Sequence, residues 1–366
     1  MKPFIWIDAH TPEQATTYLA ATAGRPGGLL KAGGIDVLDR LKEGLEQPER
    51  LVNLRRSVGS PLGEIAEVKA ASVPEDVTRL LPGTGNGAAP APRDCFRIGA
   101  LATLAQVASH PFLERSVTAL SLAAHAVATP QIRQVATLGG NLLQRPRCWY
   151  YRSHDFVCRK KGGSECFAVD GENEFHAIFD NRPCAAVHPS ATATALVALD
   201  AIVEVFGRKG RRFQRLSAML VAPSQPGGDV QRENRLEPDE VLANVYVPMP
   251  GPGERSIYQK VKQKQSFDWP LAEVAIALQT GSAGGPPVAA ARVVLGAVAP
   301  VPWRAKAAEA ALVKVARADA ASLRLVGAAA TEGAAPLSGN RYKVALCQGL
   351  VQQAAFDLLS ADRGGR

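Results

Sequence analysis

Long apolar runs are missing from this sequence. No stretch approaches the roughly 18 uninterrupted apolar residues of a membrane-crossing helix, so we expect no membrane insertion. The opening MKPFIWIDAHTPEQ carries acids and a proline where the apolar part of a secretory signal would lie, and we expect no export signal of its own. Neither a G-x-G-x-x-G fingerprint nor a Walker A motif is present, which argues against a Rossmann dinucleotide site and a P-loop. The six cysteines include no C-x₂₋₄-C pair, the usual signature of structural zinc. The six histidines are scattered, and no Ser/His/Asp or Cys/His constellation stands out, so we assign no catalytic residue. Internal repeats are absent.

What is present is an ordinary globular balance. The 366 residues are 46% hydrophobic and 21% charged, which excludes disorder across the whole chain and leaves room for two or three domains. The formal net charge of +8 suits an anionic ligand, a nucleic acid or an acidic partner, and does not choose among them.

The pattern is that of an α+β protein. GGLLKAGG (27–34) leads into a helix with Ile35, Leu38, Leu41 and Leu45 on one face, closed by Pro48, and LVNL (51–54) reads as a strand. A turn-rich stretch covers 81–92, a short strand runs from Phe96 to Ile98, and 101–127 is mainly helical. ATPQIRQVATLGGNLLQ (128–144) suggests strand, tight turn and strand. Residues 145–187 show no periodicity, and a loop of that length requires something other than an apolar core to order it. A helix from 191 precedes the strand IVEVFG. The polar stretch 224–238, rich in glycine and proline, marks the expected boundary between domains of residues 1–228 and 229–366. The second of these is expected to hold strands at 241–248, 271–279 and 291–299 with helices at about 303–318 and 340–359 on one side.

Three features carry chemistry. Lys31-Ala32-Gly33-Gly34-Ile35-Asp36 sets paired glycines between a strand and a helix start, where backbone amides and the helix terminus favour an anion such as a diphosphate. Thr137-Leu138-Gly139-Gly140-Asn141 repeats the device, and two such loops suit the two ends of an extended dinucleotide. A strand turn or bulge explains either one singly. Third, Cys148, Cys158, Cys166 and Cys184 crowd one irregular loop, with Arg145, Arg147, Arg152, Arg159, Lys160 and Lys161 around them and Asp155 as the acid. Four thiolates with a basic surround complement a [4Fe–4S] cluster. Zinc, or four unrelated thiols on a basic surface, fits the same residues.

These segments resemble the FAD-binding medium subunits of the molybdenum hydroxylases, the group of xanthine dehydrogenase, carbon monoxide dehydrogenase and the aldehyde oxidoreductases. The resemblance is carried by LKAGGIDVLDRLKEG, TPQIRQVATLGGNLLQRPRC, YQKVKQKQSFDWPLAEVAIAL and ARVVLGAVAPVPWRA, and spans nearly the whole chain. It implies a two-part FAD-binding domain of the PCMH or vanillyl-alcohol-oxidase type. The parts would be residues 1–56 and 57–228, followed by a smaller α+β C-terminal domain with a three-stranded sheet and helices on one side. The cysteine loop is similar to that of the FAD subunit of periplasmic aldehyde oxidoreductase, a subtype with an additional [4Fe–4S] cluster, and this implies Cys148, Cys158, Cys166 and Cys184 as its ligands.

Carried over residue by residue, the resemblance assigns Lys31, Ala32, Gly33, Gly34, Ile35, Asp36 and Val37 to the FAD diphosphate. Ala136, Thr137, Gly139, Gly140 and Asn141 would form the second flavin-nucleotide loop, and Lys260 would lie near the flavin. Two departures stand out: GGI replaces GGT at Ile35, and HPSA replaces HPSD at Ala191, each removing a polar group that relatives present to the cofactor. The implied partners are a small [2Fe–2S] subunit, a large molybdenum subunit that oxidises an aldehyde or related substrate, and an external electron acceptor. Nucleic acid is not among them, since Trp149, Tyr150 and Tyr151 form one run and no stacking platform. The compartment is cytoplasmic, or periplasmic by export with a partner that bears the signal. The competing readings are a self-sufficient FAD oxidase and a basic zinc- and nucleic-acid-binding protein.

Overall fold

Strands β1 (Ile5–Asp8), β2 (Leu29–Lys31) and β3 (Arg50–Asn53) form a parallel sheet with β3 in the middle, the first of three sheets in the computed structural model, which describes residues 2–20, 27–57, 60–82, 91–281 and 287–360. Most of the turn expected at 81–92 lies outside the described residues. Parallel neighbours need crossover connections, here supplied by helices Pro12–Leu19 and Ile35–Lys42. The first starts at Thr11, whose hydroxyl accepts the amide of Gln14, with Pro12 in the first turn where a missing N–H costs nothing. The second starts at Gly34, whose φ of 89° is strained for any residue with a Cβ. It stops at Lys42, before the expected Pro48, because Gly44 turns the chain with φ 66°.

The second sheet is antiparallel. Its strands β4 (Ile65–Val68), β5 (Cys95–Gly99), β6 (Ile202–Gly207), β7 (Gly210–Arg215) and β8 (Val241–Pro248) lie in the order β4-β5-β8-β6-β7. Helices within 104–125 and helix Ala191–Ala198 close its core around Phe96, Leu120, Leu196 and Val245. Strand β8, expected in the C-terminal module, belongs here: all eight of its residues are buried, and it pairs with β5 and β6 on either side. The Gly- and Pro-rich stretch 224–238 is therefore no exit from this sheet. It folds back on it, with Leu220 bridged to Asn234.

The third sheet joins β9 (Glu254–Val261), β10 (Ala272–Thr280), β11 (Val288–Gly296) and β12 (Trp303–Arg304), antiparallel in the order β12-β11-β10-β9. It is four-stranded among the described residues where three strands were expected. Strand β9 escaped notice because ERSIYQKV mixes charge with only a half-buried pattern. Helices Lys306–Val313, Ala320–Ala329 and Tyr342–Ser360 cover one face around Ile276, Leu295, Leu323 and Val351. The α+β organisation expected from the sequence is the one found. No helix among the described residues is long and apolar enough to cross a membrane.

The stretch 128–144 corrects a sequence expectation. It forms two short helices, Pro130–Arg133 and Leu138–Leu142, where strands were expected. Thr129 and Thr137 each cap one of them, accepting the amides of Ile132 and Gly140. The cysteine loop has a small core of its own, in which Tyr150, Ala168 and Ala185 are buried among Trp149, Phe156 and Phe167.

Candidate functional site

The two glycine loops meet. A Cβ on Gly33 would overlap the carbonyl oxygen of Val135, so the first loop lies backbone-to-backbone against the second only because that position is bare. Between them opens a cavity of about 480 Å³, lined by Ala32, Gly33, Gly34, Ile35, Asp36 and Val37 from one loop. Ala136, Thr137, Gly139, Gly140 and Asn141 line it from the other. Its volume falls within the roughly 300–1,000 Å³ of small-molecule sites.

Asn141 is fixed in orientation: its Oδ1 accepts from Ser190 at 2.7 Å and Thr192 at 2.6 Å, and all three residues are buried. Ser190 at the same time caps helix Ala191–Ala198, accepting the amide of Ala193. The HPSA segment thus still braces the second loop although Ala191 has no carboxylate. Lys31 turns from the cavity, with its ammonium 3.2 Å from Asn53 Oδ1 and 5.1 Å from the Trp6 ring. Lys260 is also outside it, donating to the carbonyl of Ala126 at 3.0 Å. Burial draws the pKa of Lys260 down, against the pull of Glu273 facing it on β10. The structure therefore gathers the Ala32–Val37 and 136–141 residues and leaves both lysines aside.

Sequence reading overlooked what Asp36 does. Its Oδ1 accepts from Arg152 at 2.8 Å and pairs with Arg147 at 3.1 Å, while Oδ2 accepts the amide of Arg145 at 3.1 Å and pairs with Arg40 at 3.1 Å. Burial alone would raise its pKa, but the bond from Arg152 and the charges of Arg40 and Arg147 hold the carboxyl below the ordinary range. Asp39 and Glu43 engage Arg147 and Arg152, and Glu233 engages Arg145 and Lys160. Of the bases around the cysteines, which seemed nearly unopposed, Arg145, Arg147, Arg152 and Lys160 are paired with acids from distant parts of the chain, while Arg159 and Lys161 donate to the carbonyls of Ser164 and Ser153. Trp269, inside the YQKVKQKQSFDWPLAEVAIAL segment but given no role there, is a further wall of the cavity, stacked 4.8 Å from the Arg147 guanidinium.

The four clustered thiols are electrostatic neighbours. Cys148 feels Cys158 and Cys166, and Cys166 is hydrogen-bonded to Cys184. Cys158 and Cys184 are buried, and all four are free thiols. Burial pushes Cys148 up to about 12 despite the amides of Tyr150 and Tyr151 aimed at its sulfur. The bond from Cys184 lowers Cys166 and raises Cys184 in return. His176 Nε2 stands 3.2 Å from the Cys148 sulfur. Among the described residues no group of three or more His, Cys, Asp or Glu side chains is arranged to hold a metal ion, and this does not separate zinc from an iron–sulfur cluster. Cys95 and Cys347 are buried in separate cores.

Comparison with known proteins adds a second line of evidence. Residues 91–250 match the family model "FAD binding domain in molybdopterin dehydrogenase", and residues 256–358 match "CO dehydrogenase flavoprotein C-terminal domain". The chain is 34% identical over 321 residues to the aldehyde oxidoreductase FAD-binding subunit PaoB of Escherichia coli (strain K12), covering 87% of this chain and 88% of that one. It is 24% identical to the nicotinate dehydrogenase FAD-subunit of Eubacterium barkeri, covering 78% of this chain and 71% of that one. In fold it is similar to carbon monoxide dehydrogenase from Hydrogenophaga pseudoflava, with a TM-score of 0.68 at 23% identity and 98% of both chains covered.

Proposed function

Because the chain belongs to the FAD-binding medium subunits of the molybdenum hydroxylases, and so is an oxidoreductase FAD-binding subunit, we propose that it relays electrons from the [2Fe–2S] clusters of a small partner subunit to an external acceptor. The organic substrate, an aldehyde or related compound, is oxidised on a large molybdenum subunit. Bound FAD supplies the redox-active ring for this relay. The observation that carries the reading is the 480 Å³ cavity between the two glycine loops, whose bare backbone leaves room for a dinucleotide.

The work of this chain's residues is binding and orientation. Backbone amides at the start of helix Ile35–Lys42 offer donors and a partial positive charge to a diphosphate. With Ile35 in place of a hydroxyl-bearing residue, these amides and the 136–141 loop carry more of that contact. Asn141, held by Ser190 and Thr192, presents a fixed polar edge. The relay assigns no general acid or base to this chain; the protons that accompany flavin reduction are exchanged with solvent.

The same proposal assigns a [4Fe–4S] cluster to Cys148, Cys158, Cys166 and Cys184. The donor set fits it chemically: four thiols from one loop, with backbone amides directed at the sulfurs of Cys148, Cys166 and Cys184. Such amides and the paired bases nearby stabilise an anionic cluster. The test is cofactor analysis of the purified chain. About one flavin released on denaturation and about four irons per chain are expected. Colourless protein without flavin overturns the relay, and flavin without iron overturns the cluster alone.

A further inference from the structure

His176 is buried in the cysteine loop, with its ring edge-on to that of Trp149 at a centroid distance of 5.3 Å. Its Nε2 stands 3.2 Å from the sulfur of Cys148. The backbone that carries it is held from the C-terminal module. The carbonyls of Glu174, Phe175 and His176 accept from Tyr342 Oη at 3.0 Å, Lys343 Nζ at 2.9 Å and Asn340 Nδ2 at 3.1 Å. Asn340 and Lys343 are themselves buried. Three consecutive carbonyls fixed by one short run leave the imidazole little freedom to swing away from the sulfur.

Which atom donates follows from the other ring nitrogen. Nδ1 is buried and has no partner among the described residues. A proton on it would be a buried donor left unbonded, which is costly, so the ring proton belongs on Nε2 and is aimed at the sulfur. A thiolate bound to iron has no proton of its own, so in that state Nε2–H donates and Cys148 accepts. The amides of Tyr150 and Tyr151 point at the same sulfur, which thus gathers three donors. Hydrogen bonds to the sulfurs are one of the levers on a cluster's potential. Reduction adds one electron and makes the thiolate more negative, so each such donor stabilises the reduced cluster more than the oxidised one.

We propose that His176 is a positioning residue of the [4Fe–4S] site, which acts through its Nε2–H bond to Cys148 and raises the midpoint potential of the cluster. This rests on the assignment of the cluster to the four cysteines, and the experiment separates the two. The full chain is purified without oxygen, its iron is counted, and the cluster is titrated with dithionite while its electron paramagnetic resonance signal is followed. His176→Phe keeps an aromatic ring against Trp149 but has no donor. It is expected to retain about four irons and to be harder to reduce by at least about tenfold in the equilibrium constant, about 59 mV for one electron. His176→Gln loses the ring but keeps an N–H of similar reach, and is to recover most of that difference. A role in packing alone predicts the reverse, with the phenylalanine variant like the parent. Should His176→Phe fail to fold, the parent labelled with ¹⁵N-histidine decides: a histidine nitrogen coupled to the reduced cluster is expected, and its absence overturns the bond. Equal potentials in His176→Phe and the parent overturn the proposal and leave the cluster standing. A parent without iron overturns the cluster and this proposal together.

Discussion

Arg152 donates from Nη2 to Oδ1 of Asp36 across 2.8 Å, and in doing so ties the cysteine loop to the helix behind the first glycine pair. Both side chains are largely buried, with 9% and 12% exposure, so the pair is shielded from the screening that weakens surface bridges. Removing Asp36 takes away a carboxylate shared by three guanidiniums, at a cost of about 3 kcal/mol, although Glu43 and Asp39 still pair Arg152 and Arg147. Asp36→Asn is expected to lower the urea midpoint accordingly, and a double-mutant cycle with Arg152→Gln is expected to show strong coupling. Because the folded carboxyl titrates below its unfolded value, its contribution is complete above that value and is lost as pH falls through the folded one. The variant is also expected to expose Arg145, Arg147 and Arg152 to faster tryptic cleavage, read by peptide mass.

Gly33 bears on the cavity directly. The clash of a new Cβ with the Val135 carbonyl has no flexible side chain to absorb it, so Gly33→Ala must separate the two loops. A loss of about 2 kcal/mol is expected from overpacking, together with flavin content well below that of the parent protein. Gly349→Ala, on the long C-terminal helix where a Cβ meets nothing within 4 Å, is the control and is expected to leave flavin content unchanged. Equal flavin in Gly33→Ala and the parent would remove this loop from the binding site.

The elements that sequence periodicity located are those whose burial follows one face or one run, such as helix Ala191–Ala198, strand β6 and the strand at LVNL. What it misplaced depended on partners distant in the chain. Strand β8 reads the same in either sheet, and only its pairing with β5 and β6 decides. The 128–144 stretch has β-branched residues that look like strand, but its threonines act locally as helix caps. The glycine pairs and the crowding of cysteines stood out in the sequence as features, but their roles came from the family resemblance; the structure brings the two glycine loops to one cavity. Asp36 as a hub and Trp269 as a wall did not stand out, since both roles arise from segments more than a hundred residues away that meet only in the folded chain.

The cysteines admit a selective test. Cys184 lies within the cysteine loop and is absent from the lining of the flavin cavity, so Cys184→Ala is expected to abolish bound iron while flavin stays within about twofold of the parent. Cys347→Ala opens a small hole in the C-terminal core and is expected to lower stability by about 1 kcal/mol with iron unchanged. Iron and flavin measured on the same samples check both. Iron retained in Cys184→Ala at the parent level would exclude that thiol as a ligand.

His188 predicts a pH dependence of folding with a definite sign. Burial, and secondarily the charge of Lys160, lowers its pKa from 6.5 to about 4. The unfolded chain therefore binds a proton that the folded chain refuses, so this residue costs nothing above pH 6.5 and destabilises progressively as pH falls towards 4. The difference amounts to about 2 kcal/mol at pH 5. His188→Gln keeps an amide donor but cannot take up the proton. Its loss of stability between pH 7 and pH 5 is expected to be smaller than that of the parent by about this amount, measured from urea midpoints at the two pH values. Parallel pH profiles for the two proteins would mean that the imidazole is as easily protonated in the folded state as in water, and that its surroundings are wet.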